Sequence, residues 1–279
     1  MTSPAIHADR LTLTRDSTTV LDAISLDIVP GSVVGLVGRN GAGKSSLLRC
    51  LAGLVEPDSG SSLLLGCPSL DLSDAVRARL GVVAQTPDLF EWMNVYQHLR
   101  LVGRAYPNWD EQRCLVLAAR FDLPLGKNVR DLSGGDQQKL AVVLALAHDP
   151  DLLLLDEPVS SLDPLSRQEF MRAMFGARGD EREDRERTII VSSHILTDLE
   201  RVVSHVAFMR SGTLQLLDNW DAMLEYLRLM PANAAVPKAA IVHHAAGAGS
   251  MVIDIRQAPN LRDEGKPMNL TELFAELNK

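Results

Sequence analysis

Two stretches carry residues whose types and spacing could do phosphate chemistry. The first, GRNGAGKSS at 38–46, fits the pattern G-x-x-x-x-G-K-[ST]. Glycines at positions 38, 41 and 43 let the backbone curl closely around a polyphosphate. The N–H groups of Arg39, Asn40 and Ala42 can then point inward together with those of the glycines. Lys44 would reach the β- and γ-phosphates, and Ser45, with Ser46 beside it, would offer a hydroxyl to Mg2+. The second stretch, LLLLDEP at 152–158, ends an apolar run in two carboxylates. Asp156 can hold Mg2+ through its water shell, leaving Glu157 to face the γ-phosphate and polarise an attacking water. Alone this second pattern is common; downstream of a phosphate loop in one chain it becomes specific.

Both stretches need elements to hold them. VVGLV (33–37) reads as a short buried strand feeding the glycine turn, and a helical pattern runs from Lys44 to Leu54 before the turn EPDSG. A helix that starts at Lys44 adds partial positive charge beneath the phosphates. LLLLD (152–156) reads as a buried strand, which places Asp156 at the C-terminal edge of a sheet, where ligands gather in open α/β sheets. LGVVAQ (80–85), TIIVSSH (188–194) and VAFM (206–209) supply further strands. Upstream, LTLT (11–14) and VLDAISLDI (20–28) alternate apolar with polar residues, the pattern of antiparallel strands. Residues 87–148 read as mostly helical, with a break at YPNWD (106–110) and Asp110 as an N-cap. An α/β sheet interrupted by a helical insertion results. Beyond it, MVIDI (251–255) reads as a strand, and NLTELFAEL (269–277) as a short helix with Asn269 and Glu272 at capping-box spacing. The pair His243–His244 lacks further ligands for a metal.

Composition narrows the class. The 279 residues carry a net charge of −8, whereas phosphate-backbone binders usually present a basic surface, so nucleic acid is not an expected partner. No apolar run approaches the ~18 residues of a membrane span, and the N-terminus MTSPAIHADR has no basic start followed by an apolar run. Cys50, Cys67 and Cys114 have no metal-ligand spacing and read as buried small hydrophobes in a reducing cytosol. Between Arg178 and Arg187, four basic and five acidic residues make a mixed charged run, expected as a solvated loop or helix end.

LSGGDQQK (132–139) resembles the signature motif of the ATP-binding cassette (ABC) ATPases, which sets that family apart from other phosphate-loop proteins. The family's remaining motifs follow in its order. Gln85 ends a strand as the Q-loop glutamine does, SSLD (160–163) stands where the D-loop does, and His194 ends IIVSSH at the place of the switch histidine. The resemblance covers about residues 5–220, and SSLLRCLAGLVEPDSG, YPNW and EPVSSLDPLSRQEF are similar to ATPase subunits of bacterial ABC-2-type exporters.

What this resemblance implies is an α/β fold, a P-loop NTPase of the ABC ATPase type. It would have an N-terminal antiparallel β region, a helical subdomain at about 87–148 and a small C-terminal appendage. The ATP-binding domain is expected over 1–220 and the appendage over 221–279. ATP and Mg2+ are the implied cofactors, with Ser45, Gln85 and Asp156 around the metal and Lys44, Gln85, Glu157 and His194 in hydrolysis. A head-to-tail dimer with a second ABC ATPase subunit is implied, in which Ser133, Gly134 and Gly135 touch the γ-phosphate held by the other subunit. Ser161 and Asp163 form the D-loop. Integral-membrane permease subunits are the implied partners, with the ATPase at the cytoplasmic face of the inner membrane. The alternatives are a non-transport ABC ATPase serving DNA repair, chromosomes or translation, and a phosphate-loop kinase or small-molecule transferase. The first tends to carry coiled coils, tandem cassettes or basic surfaces, and the second leaves LSGGDQQ unexplained.

Two positions depart from the family pattern. The loop TRDSTTV (14–20) has no aromatic residue to stack on adenine, which leaves Arg15 or Val20 to cover the base. Asp136 stands where glutamine is usual. Two like charges 4 Å apart at an effective dielectric of 20 repel by about 4 kcal/mol, whereas the helix dipole favours a first-turn acid by only about 0.3–1 kcal/mol. Asp136 is therefore expected to face away from the phosphates.

Overall fold

The computed structural model describes residues 3–175, 187–193, 200, 202–244 and 249–278. His194 and the charged run at 178–186 lie outside them. The N-terminal alternation folds as expected: β1 (Ile6–Arg15) and β2 (Thr18–Ile28) pair antiparallel through Asp16 and Ser17, both at positive φ, as a two-residue hairpin turn requires. Their inward residues, among them Ile6, Leu11, Leu21 and Ile24, are buried. β4 (Ser59–Leu64) pairs with the free edge of β1 and β5 (Cys67–Pro68) with β4, giving the order β2-β1-β4-β5. β4 reads SGSSLL, too polar and small to announce itself as a strand.

The second sheet has the order β10-β9-β3-β8-β7-β6. Its parallel part comprises β9 (His205–Arg210), β3 (Val33–Val37), β8 (Thr188–Ser192), β7 (Leu152–Asp156) and β6 (Leu80–Val83), and β10 (Thr213–Asn219) returns antiparallel to β9. Strands β7 and β8 are apolar almost throughout because both faces are covered. Leu152, Leu154 and Ile190 enter one core with Leu47 and Leu51 of helix α1 (Lys44–Leu51) and the N-terminal sheet. Leu153, Leu155, Ile189 and Val191 enter a second core with the helical insertion. The two-residue period of a strand thus divides one apolar run between two cores.

Helices α3 (Val95–Gly103), α4 (Glu111–Arg120) and α5 (Gly134–Leu146) follow the short α2 (Asp74–Arg77) in the insertion. Asn94 and Gln97 form a capping box on α3, and Asp110 accepts from Arg113 N at 2.9 Å to cap α4. A third sheet, β11 (Leu227–Pro231), β13 (Ser250–Asp254) and β12 (Ile241–His243) in the order β11-β13-β12, follows a helix at Trp220–Tyr226. The capping box of Asn269 and Glu272 opens the C-terminal helix Leu270–Leu277, at the spacing read from the sequence. Cys50 and Cys114 are buried, but Cys67 is not; it opens the two-residue edge strand β5, and its thiol meets the Asp71 carbonyl at 3.3 Å.

Candidate nucleotide site

The parallel strands deliver their C-terminal ends to one edge. Leu36 of β3 lies in register with Ser192 of β8, and Ser192 with Asp156 of β7. The loop at 38–46 leaves β3 at this edge and turns into α1. Gly43, at φ 100°, is the N-cap of α1, and a Cβ there would stand 2.7 Å from the Val20 carbonyl; only glycine fits. No side chain caps α1 and no acid occupies its first turn, so the helix N-terminus keeps its donors for an anion.

Lys44 crosses back over the loop. Its Nζ donates to the Gly38 carbonyl at 2.7 Å and the Arg39 carbonyl at 3.3 Å, which arches the loop around the ammonium group. Burial pulls the Lys44 pKa below its ordinary value, while Glu157 and then Asp156 pull it upward. A polyphosphate entering the loop adds negative charge beside a desolvated cation, which favours both.

The two carboxylates are organised by residues that the motif does not name. Ser192 Oγ donates to Asp156 Oδ1 at 2.7 Å and accepts from the Glu157 amide at 2.9 Å. Glu157 has φ 46°, a left-handed conformation that costs a non-glycine residue about 1–3 kcal/mol. Its carbonyl accepts from Ser160 N at 3.2 Å and Ser160 Oγ at 3.0 Å, so hydrogen bonds on both sides hold the strained residue. Both carboxylates are buried.

A cleft of about 390 Å³ is lined by Val20, Asn40, Gly41, Ala42, Gly43, Lys44, Ser45, Ser46, Gln85 and Glu157. Val20, rather than Arg15, is thus the residue of the β1–β2 hairpin at the cleft wall. Gln85 follows β6 and is exposed; the preceding Ala84 carbonyl accepts from the buried Gln138 Nε2 at 3.4 Å, which ties α5 to this corner. Gln138 carries no sequence signal of that contact beyond its place in a polar pair.

Ser133, Gly134 and Gly135 do not line this cleft. Ser133 is the N-cap of α5 and accepts from Asp136 N at 3.1 Å, while Ser133 and Gly134 are exposed. Gly135 packs beside the D-loop: a Cβ there would lie 3.0 Å from the Ser161 carbonyl. Asp163 itself caps helix α6 (Pro164–Phe175), accepting from Leu165 N and Ser166 N at 3.0 Å each, and the Ser166 hydroxyl holds its carboxyl below the usual range. Asp136 pairs with Lys139 at 3.6 Å on α5.

The ABC transporter family model matches residues 21–160, and a model described as an AAA domain, putative AbiEii toxin, overlaps it at 126–197. The chain is 36% identical over 201 residues to Nod factor export ATP-binding protein I of Cupriavidus metallidurans, an alignment covering 69% of this chain and 64% of that one. It is 30% identical to the bacitracin transport ATP-binding protein BcrA of Bacillus licheniformis, over 76% of this chain and 69% of the relative. Among solved structures, the ATP-binding subunit of an ABC transporter superposes with a TM-score of 0.69 at 27% identity, covering 78% of this chain and 91% of that one.

Proposed function

Because this chain belongs to the ABC transporter family of ATP-binding proteins, we propose that it is the ATP-hydrolysing subunit of a bacterial export system. It works as a dimer beneath separate integral-membrane permease subunits, at the cytoplasmic face of the inner membrane. The observation that carries the reading is the single cleft joining Lys44, Ser45, Gln85 and Glu157, with the exposed Ser133 and Gly134 outside it. The start of α5 at Ser133 and Gly134, which does not line the cleft of its own phosphate loop, is completed by a second subunit. The names of the relatives, Nod factor export and bacitracin transport, support export over a role in DNA repair, chromosomes or translation.

In this reading the loop N–H groups and Lys44 bind the β- and γ-phosphates, and Glu157 orients and polarises the attacking water. His194 holds the γ-phosphate and that water in register with Glu157. Asp156, Ser45 and Gln85 present only oxygen donors of the hard kind Mg2+ accepts, and one buried carboxylate with a hydroxyl fits an ion that retains water and takes phosphate oxygens. When bound, Mg2+ neutralises charge on the phosphates. Shifting a closure equilibrium from 1:99 to 99:1 takes about 5.5 kcal/mol, so each of two clamped ATP molecules supplies about half. Hydrolysis removes the clamped group and the dimer reopens.

A second cleft of about 370 Å³ between core and insertion is lined by Leu54, Leu70, Val82, Val102, Tyr106 and His148, among others. Leu54 of this lining is 65% exposed, and the cleft is the surface offered to a permease. Glu157→Gln tests the site: the variant binds ATP, accumulates as an ATP-bound dimer by size exclusion, and loses about 100-fold or more in hydrolysis. Undiminished turnover removes Glu157 from its role.

A further inference from the structure

The phosphate loop rests on the turn between β9 and β10, and that turn is gripped from behind by the C-terminal part of the chain. Gly212 N donates to the Ala42 carbonyl at 3.1 Å, and a Cβ at Gly38 would stand 2.5 Å from the Met209 carbonyl. Ser211 and Gly212, at φ 47° and 78°, make a tight two-residue hairpin turn.

Arg210 lies between these two contacts in the sequence, and its guanidinium reaches the C-terminal part of the chain. Its Nη1 donates to the Leu277 carbonyl at 3.2 Å and lies 3.3 Å from His243 Nε2. Leu277 ends the C-terminal helix and His243 ends β12, so one guanidinium gathers both elements. A cleft of about 430 Å³ lined by Arg39, Asn40, Arg210, Ser211 and Asn278, among others, brings the chain's C-terminal residues into the surroundings of the loop. Guanidinium is only a donor, so His243 can join this contact only while Nε2 is unprotonated. Burial and the Arg210 charge hold the His243 pKa below its ordinary value, which keeps the acceptor available at neutral pH; Glu276 from the C-terminal helix pulls it upward, and neighbouring His244 pulls it down.

We infer that Arg210 is a positioning residue for ATP binding and hydrolysis: through the Met209 and Gly212 contacts it transmits the seating of the C-terminal appendage, held by His243 and the Leu277 carbonyl, to the phosphate loop. The inference rests on the ATPase reading above. Releasing the clasp leaves the loop to be ordered by ATP itself, which weakens binding more than it slows the chemical step.

The test compares the native full chain with Arg210→Ala, Arg210→Lys, His243→Leu and His243→Gln, measuring KM and kcat for MgATP and the affinity for a fluorescent ATP analogue. Arg210→Ala raises KM about tenfold and weakens analogue binding alike, with kcat within about twofold. Arg210→Lys, which retains a donor, recovers part of the loss. His243→Leu raises KM about threefold, whereas His243→Gln, which retains an acceptor, stays near native. Between about pH 7.5 and about pH 5.5 the native KM rises more steeply than that of His243→Gln, because protonated His243 loses its acceptor and repels Arg210. Unchanged KM in Arg210→Ala, or identical pH profiles in the native chain and His243→Gln, overturns the inference. Should Arg210→Ala not fold, as judged by its thermal transition, the His243 pair decides. A native chain that neither binds nor hydrolyses ATP defeats the ATPase reading itself, whereas native activity with indifferent variants defeats only the clasp.

Discussion

Ser192 Oγ donates to Asp156 Oδ1 at 2.7 Å, so the last residue of β8 aims the carboxylate that ends the neighbouring strand. The same oxygen accepts from the Glu157 amide at 2.9 Å and helps to hold that residue at its positive φ. One hydroxyl thereby holds the carboxylate of Asp156 and the backbone of Glu157, two residues assigned different tasks. Ser192→Ala removes a hydrogen bond to a charged group and strands the Glu157 amide. We expect a loss of about tenfold in kcat together with a higher Mg2+ requirement, since a bond of this kind contributes about 1.5–3 kcal/mol. Steady-state ATPase assays across a Mg2+ titration check it; a variant with native kcat and native Mg2+ dependence refutes it.

Asp136 makes a quieter case. Its pairing with Lys139 at 3.6 Å turns it along the surface of α5, consistent with the charge argument that keeps it away from phosphate. Asp136→Gln should leave ATP turnover native or higher. It should lower stability by about 0.5–1 kcal/mol, through loss of an (i, i+3) pair and a favourable first-turn charge. Urea melts and ATPase rates on the same preparation separate the two effects. A collapse in turnover would assign the acid a direct role.

His148 links pH to stability. Its two ring nitrogens lie 3.3 Å from the Leu144 carbonyl and 3.2 Å from the Leu80 carbonyl, and its ring stacks on Tyr106 at 4.1 Å. Burial holds its pKa below the ordinary value, with the two carbonyls and Asp149 pulling up and Arg113 pulling down. The unfolded chain takes up a proton near pH 6.5 while the folded chain resists until lower pH. The unfolded state therefore binds more protons in that window, and stability falls as pH drops through it. His98, also depressed by burial, acts in the same direction, so the measurement is a difference. The stability gap between the native chain and His148→Gln, read from urea midpoints, should narrow from about pH 7.5 to about pH 5.5. A constant gap would exclude His148 as the source.

Much of the scaffold is legible in the chain because its signals are local. Val33–Val37 and Leu152–Asp156 are short apolar runs bounded by turn residues, and both are strands over those residues. Asp110, Asn269 and Glu272 declare helix starts because a cap engages backbone only two or three residues away. Strands β4, β11 and β12 escape notice because their sequences carry weak alternation and gain strand structure from the partners they pair with. Cys67 reads as a buried hydrophobe by type, yet its place on the two-residue edge strand β5 leaves it partly open.

By itself, the sequence determined the phosphate loop, the two carboxylates, the helix caps and the family, since each is written in residues close together along the chain. The tertiary structure alone decided that Ser192 lies between Asp156 and Glu157, that Val20 walls the cleft and that Arg210 meets His243. Ser192 and Asp156 are 36 residues apart, and Arg210 and His243 are 33 apart. Such contacts depend on the register of one strand against another and on where a distant element docks. A one-residue slip in register turns every side chain of a strand to its opposite face, so no strand read alone says whom it will touch.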